Sequence, residues 1–332
     1  MNLKATVTGG AGFIGSYLCE ALASLGGDVT ILDNLSSGTK DNIRELLKSS
    51  GVKLIVGDCK DPADVRKTIA KDDIVYHFAA NPEVRLELAD PSTCFRENAY
   101  ATQILLEAIR QSNVDMIVFA STSTVYGDAK LVPTPENYSP LEPISIYGAS
   151  KLASEALITS YCHTYKKKAI ILRLANIVGP RSKHGVINDF ITKLRRNPKQ
   201  LEILGDGRQI KSYLHIDDCI DAILKTCETA KETVEVFNIG SDDQVKVGRI
   251  AEIVAEEMSL DDVEFNFTGG VDGGRGWVGD VKNMLLDTTK VKSRGWKSRY
   301  NSEQSVRLAV REILSKECKL MDSSPLDSGL FS

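Results

Sequence analysis

The stretch Thr8–Ser16, TGGAGFIGS, decides how the first half of this chain is read. It follows an apolar run, LKATVT, and opens a segment in which Ile14, Leu18, Leu22 and Leu25 recur on one helical stripe. Gly9, Gly12 and Gly15 give G-x-x-G-x-x-G, and Gly10, Gly12 and Gly15 also satisfy G-x-G-x-x-G. Between a strand and a helix, such glycines permit a tight turn and let the backbone approach a pyrophosphate, which the helix N-terminal N–H groups and dipole then stabilise. Ser16 stands where a P-loop needs lysine. A plain strand-to-helix turn would use the same glycines, so the surrounding sequence has to decide between the two.

Working outward, DVTILD, VKLIVGD, DIVYHFAA, DMIVFAS and AIILRLA follow LKATVT as strand candidates, with helix-period segments between them. Continuous apolar runs suit strands buried on both faces of a parallel sheet, so the pattern implies a doubly wound α/β domain. After Arg173 the texture changes to the loop VGPRSKHGV, a helix and the turn LGDGRQ; a helix near Asp217–Thr229 and the strand EVFNIG then return to the sheet. The expected division is residues 1–175 with 216–242 as the larger unit, and 176–215 with 243–316 as a smaller, discontinuous α/β substrate domain. Residues 317–332 read as a polar tail.

Composition excludes several classes of function. A net charge of -4 over 332 residues leaves no footprint for nucleic acid, and Lys166–Lys168 reads as a solvated helix end. Seven cysteines stand singly without metal-ligand spacing, which implies reduced thiols, no structural metal and a reducing cytoplasmic setting. No apolar run approaches the roughly 20 residues of a membrane span, and the first residues pass directly into a strand, so neither membrane insertion nor export is expected. His77 and His215 sit in apolar runs and read as packed side chains, whereas His163 and His184 read as exposed.

Asp33 closes the second strand, where a carboxylate can accept from both hydroxyls of an adenosine ribose and repel a 2′-phosphate; this favours NAD over NADP. Asp58 and Cys59 close the third strand and either flank the adenine or simply start a turn. Ser121–Thr124 end the fifth strand, at the sheet edge where doubly wound folds bind ligands. Tyr147 and Lys151, in YGASK, are one helical turn apart and reach a common point. A phenol of pKa about 10 needs a shift of about 3 units to act as a base near neutrality, and Lys151 together with an oxidised nicotinamide can supply it. Arg208 and Arg275, each among glycines, either present forks to a diphosphate or form surface ion pairs.

TGGAGFIGS, DNLSSG, GDCKD, HFAA, STSTVYG, YGASK, LRLANIVGP, LGDGRQIKSYLHIDD and RGWVGDV together resemble the extended short-chain dehydrogenase/reductase family, and most of all its NAD-dependent sugar-nucleotide 4-epimerases. The resemblance covers nearly the whole chain. It implies a Rossmann sheet, a UDP-sugar substrate and a homodimer. It also implies that Thr122 binds the reacting sugar oxygen, that Tyr147 is the acid/base, and that Lys151 holds the nicotinamide ribose and lowers the phenol pKa. Cofactor contacts carried over are Gly9, Gly12, Phe13, Ile14, Gly15, Asp33, Asn34, Ser36, Ser37, Gly38, Asp58, Cys59, Phe78, Ala79, Ala80 and Asn98. Asn176, Val186, Leu201, Ile203, Arg208 and Arg275 match positions that grip the nucleotide diphosphate. Met284 falls where room near the sugar C2 substituent is set, or else packs in the core. A 4,6-dehydratase or decarboxylase of the same family is the rival enzyme, and a dinucleotide sensor on the same fold is the non-catalytic rival.

Overall fold

The computed structural model describes residues 3–69, 73–82 and 90–322, the backbone alone for 317–322. In chain order the elements are β1 (Lys4–Thr8), α1 (Phe13–Ser24), β2 (Asp28–Asp33), β3 (Val52–Val56), α2 (Pro62–Ile69), β4 (Ile74–His77), α3 (Pro91–Cys94), a π-helical segment Phe95–Tyr100 running into α4 (Ala101–Arg110), and β5 (Met116–Thr122). A 3₁₀ turn Ser123–Tyr126 leads toward α5 (Ile146–Tyr165), followed by β6 (Lys168–Leu174), β7 (Asn176–Val178), α6 (Val186–Arg196), β8 (Gln200–Ile203), β9 (Ile210–Lys211) and β10 (Tyr213–His215). The remainder is α7 (Ile216–Thr229), β11 (Val234–Ile239), β12 (Val245–Lys246), α8 (Val247–Glu257), β13 (Glu264–Phe267), β14 (Asn283–Met284), α9 (Thr289–Ser293) and α10 (Ser302–Asp322).

All seven expected strands enter one parallel sheet, in the order β11-β6-β5-β4-β1-β2-β3. The apolar runs explain why: in β1 and β2 every residue after the first is buried, which requires cover on both faces. On one face α1 and α7 pack Leu18, Leu22, Ile220 and Ile223 against Val7, Ile31 and Phe237. On the other, α2, α4 and α5 place Val65, Leu105, Leu106 and Ile158 against Val75, Ile117 and Phe119. Burying each such side chain stabilises the fold by about 1.5–3 kcal/mol.

A separate apolar cluster joins α6, α8 and α10 around Phe190, Leu201, Ile203, Ile250 and Val310, with the small sheets β8–β13, β7–β10 and β12-β9-β14 beside it. The last helix continues through Asp322, into the segment assigned to a polar tail. KECKLM holds good helix formers, so the helix has no local reason to stop at residue 316. Residues 323–332 of that tail lie outside the described residues. Among the described residues no helix is long and apolar enough to cross a membrane.

The sheet also fixes the glycine turn. A Cβ on Gly15 would lie 2.2 Å from the Gly9 carbonyl oxygen, and one on Gly9, whose φ is +70°, 2.6 Å from the Ala79 amide nitrogen. Both clashes are with backbone, which has no rotamer to yield. Gly15→Ala is therefore expected to lower the unfolding free energy by about 1–3 kcal/mol, as overpacked sites do. Urea denaturation against wild type measures it, and an unchanged midpoint would contradict the close approach.

Candidate active site

A cleft of about 1100 Å³ runs along the carboxyl edge of the sheet, lined by residues that follow β1, β2, β3, β4, β5 and β6 and, on its far wall, by Lys211, Tyr213, Trp277 and Met284. At one end is the glycine turn. The Gly9 amide donates to Leu32 O (2.8 Å), and the Gly12 amide to Gly9 O (3.0 Å). Gly12 caps α1 without a side chain, and no acid occupies the first turn of that helix, so its positive end is not neutralised from within. Gly9, Gly12, Phe13, Ile14 and Gly15 all line the cleft there. Buried Asp33 accepts the Ala11 amide (2.9 Å) on one carboxylate oxygen and the Leu35 amide (2.8 Å) on the other. Each oxygen retains acceptor capacity for a further donor.

Asn34, Ser36, Ser37, Asp58 and Cys59 continue the wall. Burial works against the Asp58 carboxylate, but the Lys60 amide (2.8 Å), the Asn34 side-chain amide (3.2 Å) and the Lys60 ammonium (3.5 Å) hold it below the usual range. Burial pushes the Cys59 thiol up to about 12, so it stays protonated and inert. Gly38 acts from behind: a Cβ there would lie 2.8 Å from the Ala11 carbonyl carbon and 3.0 Å from the Asp33 carboxylate, so its absence lets DNLSSG fold over both. Opposite this loop, Arg181 ties the segment after β7 to α1, donating to Ser16 Oγ (3.0 Å) and Glu20 (2.6 Å), while Lys183 reaches Ser37 O (3.3 Å).

At the other end of the sheet edge, Thr122 closes β5 and caps the 3₁₀ turn by accepting the Thr124 amide (3.2 Å). Ser145 caps α5 by accepting the Gly148 amide (3.0 Å), which sets Tyr147 in the helix's first turn and Lys151 one turn later. A Cβ on Gly148 would lie 2.9 Å from Thr124 O, so this glycine lets the helix meet the hydroxyl turn. Half-buried Tyr147 is hydrogen-bonded to the Thr122 side chain. Burial pushes the phenol up to about 12, against the opposing effect of that hydrogen bond. Lys151 is 2% exposed, with Nζ 4.2 Å from the centre of the Phe119 ring, and burial pushes its ammonium down to about 7, opposed by the Glu155 carboxylate. Burial therefore works against the charged form of the lysine as it works against the phenolate. Phe78, Ala79 and Ala80 line the cleft between these two ends. Asn98 lies behind them, accepting the Asn81 amide (2.9 Å) and donating to Ser150 Oγ (2.9 Å), so it braces the loop and α5 and does not line the cleft.

The far wall departs from the sequence reading. Asn176, Val186 and Met284 line the cleft, and Met284 also packs with Val125, Tyr126 and Leu286, so its two readings coexist. Leu201 and Ile203 do not: both side chains are wholly buried among α6 and α8, because alternate residues of β8 point into that core. Arg208 is exposed off the cleft. Arg275 is held outside it by Asp128, at 3.1 and 2.7 Å, and by the Asp280 carbonyl. Lys211 is a cation on this wall that the sequence reading did not name; it ion-pairs with buried Asp280 (2.5 Å) and stands 5.5 Å from the centre of the Trp277 ring. No sequence pattern marks it, because β9 is two residues long with both half-buried and carries no alternation to read.

A doubly wound sheet with an open glycine turn, a strand-end carboxylate and a hydroxyl–phenol–ammonium set in one cleft defines a dinucleotide-binding enzyme. The NAD dependent epimerase/dehydratase family matches residues 5–240, and the chain belongs to that family. It is 31% identical to a UDP-glucose 4-epimerase of Corynebacterium glutamicum over 76% of this chain and 80% of that one. It is 30% identical to a dTDP-D-glucose 4,6-dehydratase of Mus musculus over 92% and 87%. A crystal structure of UDP-galactose 4-epimerase superposes with a TM-score of 0.83 at 42% identity, covering 95% of this chain and 99% of that one.

The cofactor is NAD. The residues present fit it: the turn that no Cβ could enter, the unneutralised α1 terminus and the buried Asp33 carboxylate suit a pyrophosphate and a ribose diol. Asp33→Ser removes the charge that would repel a 2′-phosphate. It is expected to narrow the preference for NAD over NADP by about 10-fold or more, a difference of about 1.4 kcal/mol. Calorimetric titration of both nucleotides reads the ratio, and an unaltered ratio would remove Asp33 from this role.

Proposed function

We propose that the protein interconverts the C4 epimers of a UDP-sugar, UDP-glucose with UDP-galactose or the N-acetylated pair, through a transient 4-keto sugar. The observation that carries this reading is the hydrogen bond between Tyr147 and Thr122 at the cleft wall, with Lys151 one helical turn away. Bound NAD supplies the hydride acceptor and donor in turn. Thr122 holds the sugar O4. Tyr147, as its phenolate, would take the O4 proton as the C4 hydride departs, and would give it back once the keto sugar has turned and hydride has returned to the other face. Lys151 holds the nicotinamide ribose and, when charged, stabilises the phenolate. No net oxidation occurs.

In this reading residues 1–175 with 216–242 hold the cofactor, and residues 176–215 with 243–316 hold the nucleotide sugar. Lys211, which lines the cleft, takes the place the sequence reading gave to Arg208 and Arg275 as a cation for the diphosphate. Val186, Asn176 and Met284 complete that wall, and the unbranched Met284 side chain can yield room for an N-acetyl group. A homodimer is supported by an apolar surface on α4, α5 and the π-helical segment, where Phe95 is 60% and Tyr100 42% exposed beside Ala153, Ala156 and Leu157.

Epimerisation is favoured over 4,6-dehydration because Ser123 and Thr124 line the cleft beside Thr122 with hydroxyls, which are not ready acids or bases near neutrality. The test is incubation with a panel of nucleotide sugars and identification of products by NMR. A C4 epimer is the expected product, and accumulation of a 4-keto-6-deoxy sugar would overturn the reading. Tyr147→Phe should lower kcat by on the order of 100-fold or more while NAD stays bound. Near-normal turnover in that variant would remove Tyr147 from the acid–base role.

A further inference from the structure

One buried ionic group beside the site is not used by the reaction. Glu155, one turn beyond Lys151 on α5, accepts the Ser121 hydroxyl and is gripped by Arg173 of β6, whose Nη2 lies 2.7 Å and Nε 3.1 and 3.3 Å from its carboxylate oxygens. Both side chains are about 95% buried, at 5% and 6% exposure. The other arm of Arg173 donates to Tyr126 Oη (2.9 Å) and Glu136 O (3.0 Å), so every nitrogen of the guanidinium has a partner. A buried ion pair is weak evidence for stability, since apolar residues of equal volume serve as well or better. Its position beside the active-site lysine suggests another use.

We propose that the Glu155–Arg173 pair sets the charge that Lys151 carries, Glu155 as a positioning residue for the ammonium and Arg173 as the counterweight that limits Glu155's pull. Among the described residues the geometry leaves few alternatives. Across from Lys151 the sheet offers the Phe119 ring and His77 of β4, which burial and Lys151 itself push down to about 3, leaving it neutral. Its own helix offers Tyr147 on one side and Glu155 on the other, and the Cys94 thiol of α3 faces Tyr147. Glu155 is therefore the anion that opposes the desolvation of Lys151. Unopposed by Arg173, it would raise the share of lysine that is charged at neutrality; absent, it would lower that share. The pair together keeps the lysine able to respond to what else enters the cleft.

This inference rests on the reading of Tyr147 and Lys151 as the acid–base pair, but its first test does not depend on turnover. The NAD-loaded protein, labelled with ¹³C at lysine Cε, is titrated by NMR, the Lys151 resonance being assigned by its loss in Lys151→Met. Glu155→Gln should lower the Lys151 midpoint by about one unit, and Arg173→Gln should raise it by about one unit. The double variant should return to within about half a unit of wild type, because it removes both charges and leaves none unpaired in the interior. The kcat profile should follow, with the alkaline limb moving to lower pH in Glu155→Gln and recovering in Glu155→Asp. Should a single variant fail to fold, the double variant and Glu155→Asp still separate charge from shape. A Lys151 midpoint that is unmoved, or that moves the same way in both single variants, or a double variant displaced as far as Glu155→Gln, would overturn the proposal. A preserved titration pattern with normal turnover in Tyr147→Phe would instead sink the acid–base reading alone.

Discussion

Burial of an ammonium beside a phenol is the constraint on which the site depends. Each group loses hydration that the protein interior does not replace in kind, so Lys151 is pushed toward neutrality and Tyr147 away from ionisation. These effects oppose the state that acid–base chemistry needs, a cation next to a phenolate. The structure positions both groups at the sheet edge through hydrogen bonds and a close helix approach. Ser145 fixes where α5 begins, Gly148 lets its first turn touch Thr124, and Asn98 and Thr102 hydrogen-bond Ser150 and Ser154 from the neighbouring helical segments. His77, which bonds Thr8 Oγ1 (2.8 Å) and Thr102 Oγ1 (3.0 Å), joins the strand before the glycine turn to α4 without adding a charge.

The same sheet edge builds the two ends of the cleft by different physics. At the glycine turn the backbone lines the cleft, and side chains are excluded because Gly9 and Gly15 have backbone where a Cβ would go. At the end of β5 the side chains line the cleft, and the backbone aims them: Thr122 is both the cap of the turn and the partner of Tyr147. Strands β1 and β5 stand on either side of β4 in the sheet, so one parallel register places both devices on one line.

How much of this was legible in the sequence follows from the range over which each signal acts. The seven sheet strands, the glycine turn and the Tyr147–Lys151 pair are local patterns, set by periodicity and by spacing within one helix. The packing of His77 and His215 was legible for the same reason, and both are 1% exposed. The far wall was not. Whether Leu201 and Ile203 face core or cleft depends on the phase of a four-residue strand against helices that arrive from distant parts of the chain. Whether Arg275 reaches the cleft depends on Asp128, 147 residues away in sequence, which no local pattern links to it. The Glu155–Arg173 pair is hidden similarly, being a helix residue and a strand residue that meet only through the register of β5 with β6.

The electrostatics of the cleft end up unequal along its length. The α1 terminus presents a partial positive charge with no acid in the first turn, so an anion placed there meets an unmet field. On the far wall the charge of Lys211 is already met by Asp280, a carboxylate 3% exposed that also accepts the Gly276 amide (3.1 Å). An anion approaching Lys211 therefore competes with a built-in partner, and its net gain is smaller than the bare lysine charge suggests.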